Sequence, residues 1–175
     1  MMQFSRKIYL IVTMLCLTQI ASAKDAGRDA SRDFGLGVVV GGPTAITAKY
    51  WLDHERALDG GIAFSVNDYI LLYGDYLWHY PRPFKHSDPF FSNVNFYLGL
   101  GANLAITTSD RSNTDYYLGK RSGSVGLSAR VPFGLEWKPA DPPLGVFVEI
   151  VPGISVIPST SVIVQGGIGI RYYFN

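Results

Sequence analysis

The stretch Val162-Ile163-Val164-Gln165-Gly166-Gly167-Ile168-Gly169-Ile170-Arg171-Tyr172-Tyr173-Phe174 decides how this chain is read. Successive side chains of a strand point to opposite faces. Val162, Val164, Gly166, Ile168, Ile170, Tyr172 and Phe174 therefore share one face, and Ile163, Gln165, Gly167, Gly169, Arg171 and Tyr173 the other. The first face is apolar and uncharged; the second mixes glycine with a charge. Three upstream segments divide in the same way. In Leu144 to Ile157, Glu149 falls among Gly145, Phe147, Val151, Gly153 and Ser155, opposite Val146, Val148, Ile150 and Ile154. In Ser124 to Trp137, Arg130 and Glu136 share parity with Gly126, Ser128, Pro132 and Gly134, opposite Leu127, Val131, Phe133 and Leu135. In Val94 to Thr107, Val94, Phe96, Leu98 and Leu100 oppose Asn95, Tyr97, Gly99 and Gly101.

A soluble barrel turns its charges outward and fills its centre with aliphatic side chains. Here the uncharged face is large and aliphatic, and the charged face is rich in the glycine a narrow interior needs. The consistent assignment is apolar toward lipid, polar and small toward a lumen. Such a sheet must close, because an open edge in hydrocarbon leaves backbone groups unpaired. The predicted fold is all-β: an eight-stranded antiparallel up-and-down transmembrane β-barrel. Its strands are expected at 34–41, 45–52, 57–66, 69–80, 94–107, 124–137, 144–157 and 162–174, separated by Gly, Pro, Asn and Asp turn signals. A soluble lipocalin-like barrel is the rival fold.

The bulk composition agrees. Of 175 residues, 47% are hydrophobic and 14% aromatic, but only 17% are charged, against roughly 25% in ordinary soluble domains. No apolar run approaches the roughly 20 residues of a membrane helix. Residues 1–23 read as a signal peptide: Arg6 and Lys7, then Ile8 to Leu17, then Ala21-Ser22-Ala23 as the cleavage site. The alternative, an N-terminal anchor, has too short an apolar stretch. Residues 24–33 form a polar periplasmic lead-in, and 34–175 the barrel. Export implies localisation in the outer membrane of a Gram-negative-type bacterium. The single cysteine, Cys16, leaves with the signal peptide. No disulfide, thiol nucleophile or thiolate metal site then remains, and no metal or other cofactor is expected. Loss of Arg6 and Lys7 keeps the chain within one charge of neutrality, which excludes the basic field needed for nucleic acid.

The aromatics give an orientation. Tyr50, Tyr76, Trp78, Tyr80, Trp137, Tyr172 and Phe174, with Phe34 and Phe96, lie on the lipid-facing parity at one rim, where they form an aromatic girdle. With an even strand count that rim also holds both chain ends, so it is expected to face the periplasm.

Three groups could carry chemistry. The lumen parity collects Lys49, Asp59, Asp75, Arg130, Glu136, Glu149 and Arg171, with Asn95, Asn103, Gln165, Tyr97 and His79. Eight strands leave an interior that side chains can fill, and buried charges must pair. Arg130 is expected to pair with Glu149, and Arg171 with Glu136 or Asp75. The competing use of this group is a narrow channel for small solutes or ions. Second, Asp59 with Asp75 could do acid–base work, but no nucleophile–base–orienter set accompanies them. A lipid A-modifying barrel enzyme would need His, Ser and a carboxylate near the lipid boundary. No compact His-x-Ser element occurs, and His54, His79 and His86 lack metal-ligand spacing. Third, the outward connection 108–123 is long and carries Asp110, Arg111, Asp115, Tyr116, Tyr117, Lys120 and Arg121. Tyr and Arg recur at binding hot spots, so this loop is the candidate contact for an extracellular protein partner. The connection 81–93 is also long, although periplasmic turns are normally short.

Several elements together resemble a known family: Gly42-Pro43-Thr44, Lys49-Tyr50-Trp51-Leu52, Ala57-Leu58-Asp59, Asp75-Tyr76-Leu77-Trp78-His79, Arg130-Val131-Pro132-Phe133-Gly134-Leu135, Val148-Glu149-Ile150-Val151-Pro152-Gly153, Ile157-Pro158-Ser159-Thr160 and Gly167 to Phe174. The chain resembles the small eight-stranded outer-membrane barrels of the OmpA/OmpX type, and within them a group of short bacterial barrels first noted in spirochaetes. The resemblance implies a barrel embedded in outer-membrane lipid and brings no catalytic residues to transfer; the leading expectation is a monomer. The C-terminal alternation ending in an aromatic is similar to the signal read by the barrel assembly machinery, which would be a partner during biogenesis. Here Asn175 follows Phe174, so the aromatic is penultimate. Some relatives bind host proteins; no motif here carries that property over.

Overall fold

Alternating β-branched, aromatic and glycine residues produce strands along the chain. They are β1 (Phe34–Gly42), β2 (Ala45–Trp51), β3 (Arg56–Phe64), β4 (Tyr69–Pro81), β5 (Val94–Thr107), β6 (Val125–Arg130), β7 (Phe133–Trp137), β8 (Leu144–Ile157) and β9 (Ser161–Phe174). A short helix, α1 (Pro89–Ser92), precedes β5. The computed structural model describes residues 33–64, 69–81, 89–107, 125–139 and 141–174. The expected signal peptide, the lead-in up to residue 32 and the loop 108–123 lie outside the described residues.

Neighbouring strands pair antiparallel, with β6 and β7 both lying between β5 and β8, and β1 pairs with β9 from Phe34↔Phe174 to Gly42↔Gly166, which closes the sheet. The sixth expected strand, 124–137, is corrected to two segments. Pro132 has no N–H to give to a ladder, and the strand breaks at Val131-Pro132. The register nevertheless runs on: Gly101↔Arg130 and Leu98↔Phe133 on one side, Arg130↔Gly153 and Phe133↔Ile150 on the other. Val131 N donates to Pro152 O at 2.9 Å, and Gly99 N to Pro132 O at 2.7 Å. β6 and β7 are thus one crossing, and the barrel has eight strands.

The two faces separate as their parity predicts. Leu36, Val38, Ile46, Leu58, Leu100, Val148, Ile168 and Ile170 are exposed on the outer wall. Lys49, Asp59, Asp75, Arg130, Glu136 and Arg171 are buried inside. The interior also contains apolar side chains that the expectation of a polar, small lumen understated. Val39, Ala45, Ala63, Leu71, Ala105 and Phe147 form one cluster. Trp51, Ala57, Leu77, Tyr97 and Tyr173 form another, nearer the rim where β1 starts and β9 ends, the chain-end rim of the barrel. A second correction concerns Val94, expected on the lipid face but only 6% exposed.

Interior glycines make room for the large rings. A Cβ on Gly35 would lie 2.7 Å from Tyr173 Cε1, and one on Gly145 would lie 2.8 Å from Cε2. The ring therefore lies over glycine on both flanking strands. At the β2–β3 turn, outside the crossing segments, Asp53 accepts from Glu55 N at 2.9 Å, Arg56 N at 2.7 Å and Arg56 Nε at 2.5 Å. Slight burial alone would raise its pKa, but the hydrogen bonds, led by the Glu55 amide, outweigh it and hold the carboxyl below its ordinary value.

Candidate functional site

The inward side chains of five crossings, β2, β3, β4, β7 and β9, assemble one polar network. Its hub is Glu136 on β7. One carboxylate oxygen takes Lys49 Nζ of β2 at 2.5 Å, and the other takes the Tyr173 hydroxyl of β9 at 2.5 Å. Arg171 Nη1 stands 4.0 Å from the same carboxylate. The Lys49 ammonium also meets His79 Nε2 at 2.8 Å and lies over the Trp51 ring, 4.6 Å from its centroid. Arg171 donates to Thr47 Oγ1 at 2.9 Å and to Asp59 Oδ2 at 2.5 Å, and its guanidinium stacks 3.9 Å from the Phe147 centroid. Thr47 in turn donates to Asp59 Oδ1 at 3.0 Å.

The expected partnership of Arg130 with Glu149 is corrected. Arg130 Nε lies 3.1 Å from Asp75 Oδ1, while Glu149 accepts the Tyr97 hydroxyl at 2.9 Å. The register supplies the reason. Arg130 pairs with Gly101, and Gly101 pairs with Asp75. Glycine on the middle strand has no side chain in the way, so the guanidinium reaches across it. Arg171 obeys the same rule across Gly37, which pairs with both Arg171 and Thr47. Its partners are thus Asp59 and, more distantly, Glu136, and the expected option of Asp75 is not taken. Asp59 and Asp75 are direct cross-strand neighbours. Two carboxylates there would repel, and each is held by its own arginine.

All seven expected lumen residues point inward, and six are buried; Glu149 is half-buried. Thr47 and Tyr173 were missing from the expected network although both have lumen parity. The signal was there: Thr47 stands two residues before Lys49, and Tyr173 two residues after Arg171. Toward the rim away from the chain ends, Val39, Tyr73, Arg130, Glu149 and Gln165 line a small pocket with room for about one water. Such an interior can hold charge and exclude solvent. Among the described residues no group of three or more His, Cys, Asp or Glu converges as metal ligands.

The girdle residues lie at the chain-end rim. Phe34 stacks on Phe174 at 6.0 Å, Tyr172 meets Phe174 edge-on at 5.0 Å, Tyr76 meets Trp78 at 4.9 Å, and Tyr80 faces Phe96 at 6.0 Å. Tyr50, Trp78, Tyr80, Tyr172 and Phe174 are exposed, while Tyr76 and Trp137 are half-buried. The seven candidate loop residues from Asp110 to Arg121 lie outside the described residues.

An apolar outer wall, an aromatic rim and an interior of paired ions define the class: a closed eight-stranded antiparallel barrel with the architecture of small outer-membrane barrels. Residues 26–174 match the family described as "Protein of unknown function (DUF3996)", and the chain belongs to that family. Among solved structures it is similar to the N-terminal β-barrel domain of Pseudomonas aeruginosa OprF. That match has a TM-score of 0.55 at 13% identity and covers 82% of this chain and 99% of that one. It is also similar to Neisserial surface protein A (TM-score 0.43, 17% identity, 82% and 95% covered). A third is the outer membrane enzyme PagL (TM-score 0.41, 10% identity, 79% and 97% covered). At these identities the likeness is one of fold alone. No curated protein matches the sequence.

Proposed function

We propose that the protein is an exported, monomeric, integral outer-membrane barrel of the OmpA/OmpX type. It performs no catalysis, and its role is structural or lies in a surface contact. One observation carries this reading: the outer wall is apolar while Lys49 and Glu136, Arg130 and Asp75, and Arg171 and Asp59 are buried and paired within. Water outside would reverse that arrangement, because aliphatic surface gains and charge loses on leaving water. Hydrocarbon outside favours it. The rim with both chain ends faces the periplasm, and the loop 108–123 faces outward, where Asp110, Arg111, Asp115, Tyr116, Tyr117, Lys120 and Arg121 meet any extracellular protein. The interior packed with Phe147, Leu71 and Leu77 beside its ion pairs supports a sealed tube over the narrow channel.

Membrane fractionation with heat-modifiability on gels tests the insertion; release by salt or osmotic shock without detergent would refute it. Planar bilayers with the purified protein should show no steady unitary currents, and such currents would refute the sealed interior. Lipid A should be unchanged on expression, and an altered acyl pattern would refute the non-enzymatic role.

A further inference from the structure

The connection between β4 and β5 is long for its rim, and it ends in α1, which the barrel itself does not require. Phe90 of α1 stacks on Trp137 at 5.6 Å and 23°, and meets Phe91 edge-on at 5.5 Å. Asn93 N donates to Phe90 O at 3.2 Å, and Lys138 N donates to Asn93 O at 2.9 Å, which ties the helix exit to β7. Trp137 has outward parity, so a ring stacked on it approaches from outside the barrel. Val94 gives independent evidence. It pairs with Trp137 and shares parity with Leu98 and Leu100, yet it is 6% exposed where they are 38% and 58%. The outer wall is covered at Val94, and among the described residues α1 is the element tied to this stretch, through Phe90 on Trp137, the cross-strand partner of Val94. The helix sits on the lipid side of the rim. Even so, Phe90 remains 53% exposed and Phe91 38%.

We infer that α1 is an interfacial anchor, in which Phe90 and Phe91 seat in the headgroup–acyl boundary of the leaflet at the chain-end rim and fix the depth of the barrel. The occupant of this surface is phospholipid. The patch is continuous with the lipid-facing wall, since Tyr80 and Phe96 carry the aromatic surface onward across β4 and β5. The sequence Pro89-Phe90-Phe91-Ser92 carries no charge that would prefer water. Aromatic side chains at a membrane–water boundary gain apolar burial at that depth without a spanning segment. This inference rests on the membrane-embedded reading above, and the test separates the two.

The probe is an environment-sensitive fluorophore at Phe91→Cys, in a chain with Cys16→Ser, folded into phosphatidylethanolamine–phosphatidylglycerol vesicles. A second label at Leu100→Cys reports the middle of the wall. The expected result is blue-shifted emission from the position 91 label, quenched more strongly by nitroxides near the headgroup than by nitroxides deep in the acyl chains, with the reverse order at position 100. Should F91C fail to fold, a label at Ser92→Cys reports the same element. Water-like emission at position 91 with ready quenching by aqueous iodide would overturn the anchor while leaving the barrel inserted. Shielding from both iodide and lipid nitroxides would also overturn it, since protein would then cover the patch. A position 100 label that no lipid nitroxide reaches would sink the membrane reading, and the anchor with it.

Discussion

Replacing Glu136 by Gln tests the interior more sharply than any other change. The side chain is fully buried, and so is its partner Lys49. The substitution keeps shape and volume but removes the charge that offsets Lys49 and helps to offset Arg171. The local set Lys49, Arg171, Asp59 and Glu136 is balanced before the change and carries one uncompensated cation after it. Leaving a buried charge unpaired costs about 3–5 kcal/mol. With a urea slope of about 2 kcal/mol/M, the unfolding midpoint should fall by about 2 M. Tyr173→Phe removes a single hydrogen bond to the same carboxylate and should cost less, about 1.5–3 kcal/mol. Lys49→Met combined with E136Q removes both ions, so it should fall short of the sum of the single effects by about 2 kcal/mol. The assay is equilibrium urea unfolding in lipid vesicles, followed by tryptophan fluorescence and checked by gel mobility without boiling. Arg56→Ala, which breaks a solvent-exposed pair with Asp53, serves as the control and should leave the midpoint in place. An E136Q cost below about 1 kcal/mol, or strict additivity in the double variant, would refute the argument, because both mark exposed pairs and not buried ones.

Leu100→Arg, at an outward position midway along β5, should cost about 2–4 kcal/mol by the same measurement; a neutral result would mean that this wall does not meet hydrocarbon. Gly35→Ala places a Cβ 2.7 Å from the Tyr173 ring, and the displaced ring should lower stability by about 1–3 kcal/mol, whereas Gly74→Ala, which meets nothing within 4 Å, should not. Protease added to intact cells should cut within 108–123; protection of that loop with cutting near the chain ends would invert the orientation.

Much of this protein could be read from alternation alone. Whether a residue looks in or out depends on a period of two, which is local. The expected strands 94–107 and 144–157 match β5 and β8 end to end, and parity alone turns Lys49, Glu149 and Arg171 inward. The aromatic rim was legible for the same reason, since parity and distance from a turn are both properties of one strand. Pro132 carries the signal for the break in the ladder, but the apolar alternation runs unbroken across it and predicts one continuous strand. Other features depend on what stands beside a strand or across from it. Arg130 meets Asp75 because a glycine lies between them on the neighbouring strand, and that follows from register. Lys49 meets Glu136 across the lumen, 87 positions apart, because closure brings β2 to face β7. Val94 is buried although its parity turns it outward, which no period of two foretells. A period of two fixes the face of every side chain; only the closed sheet, with its register and stagger, decides which side chains face each other.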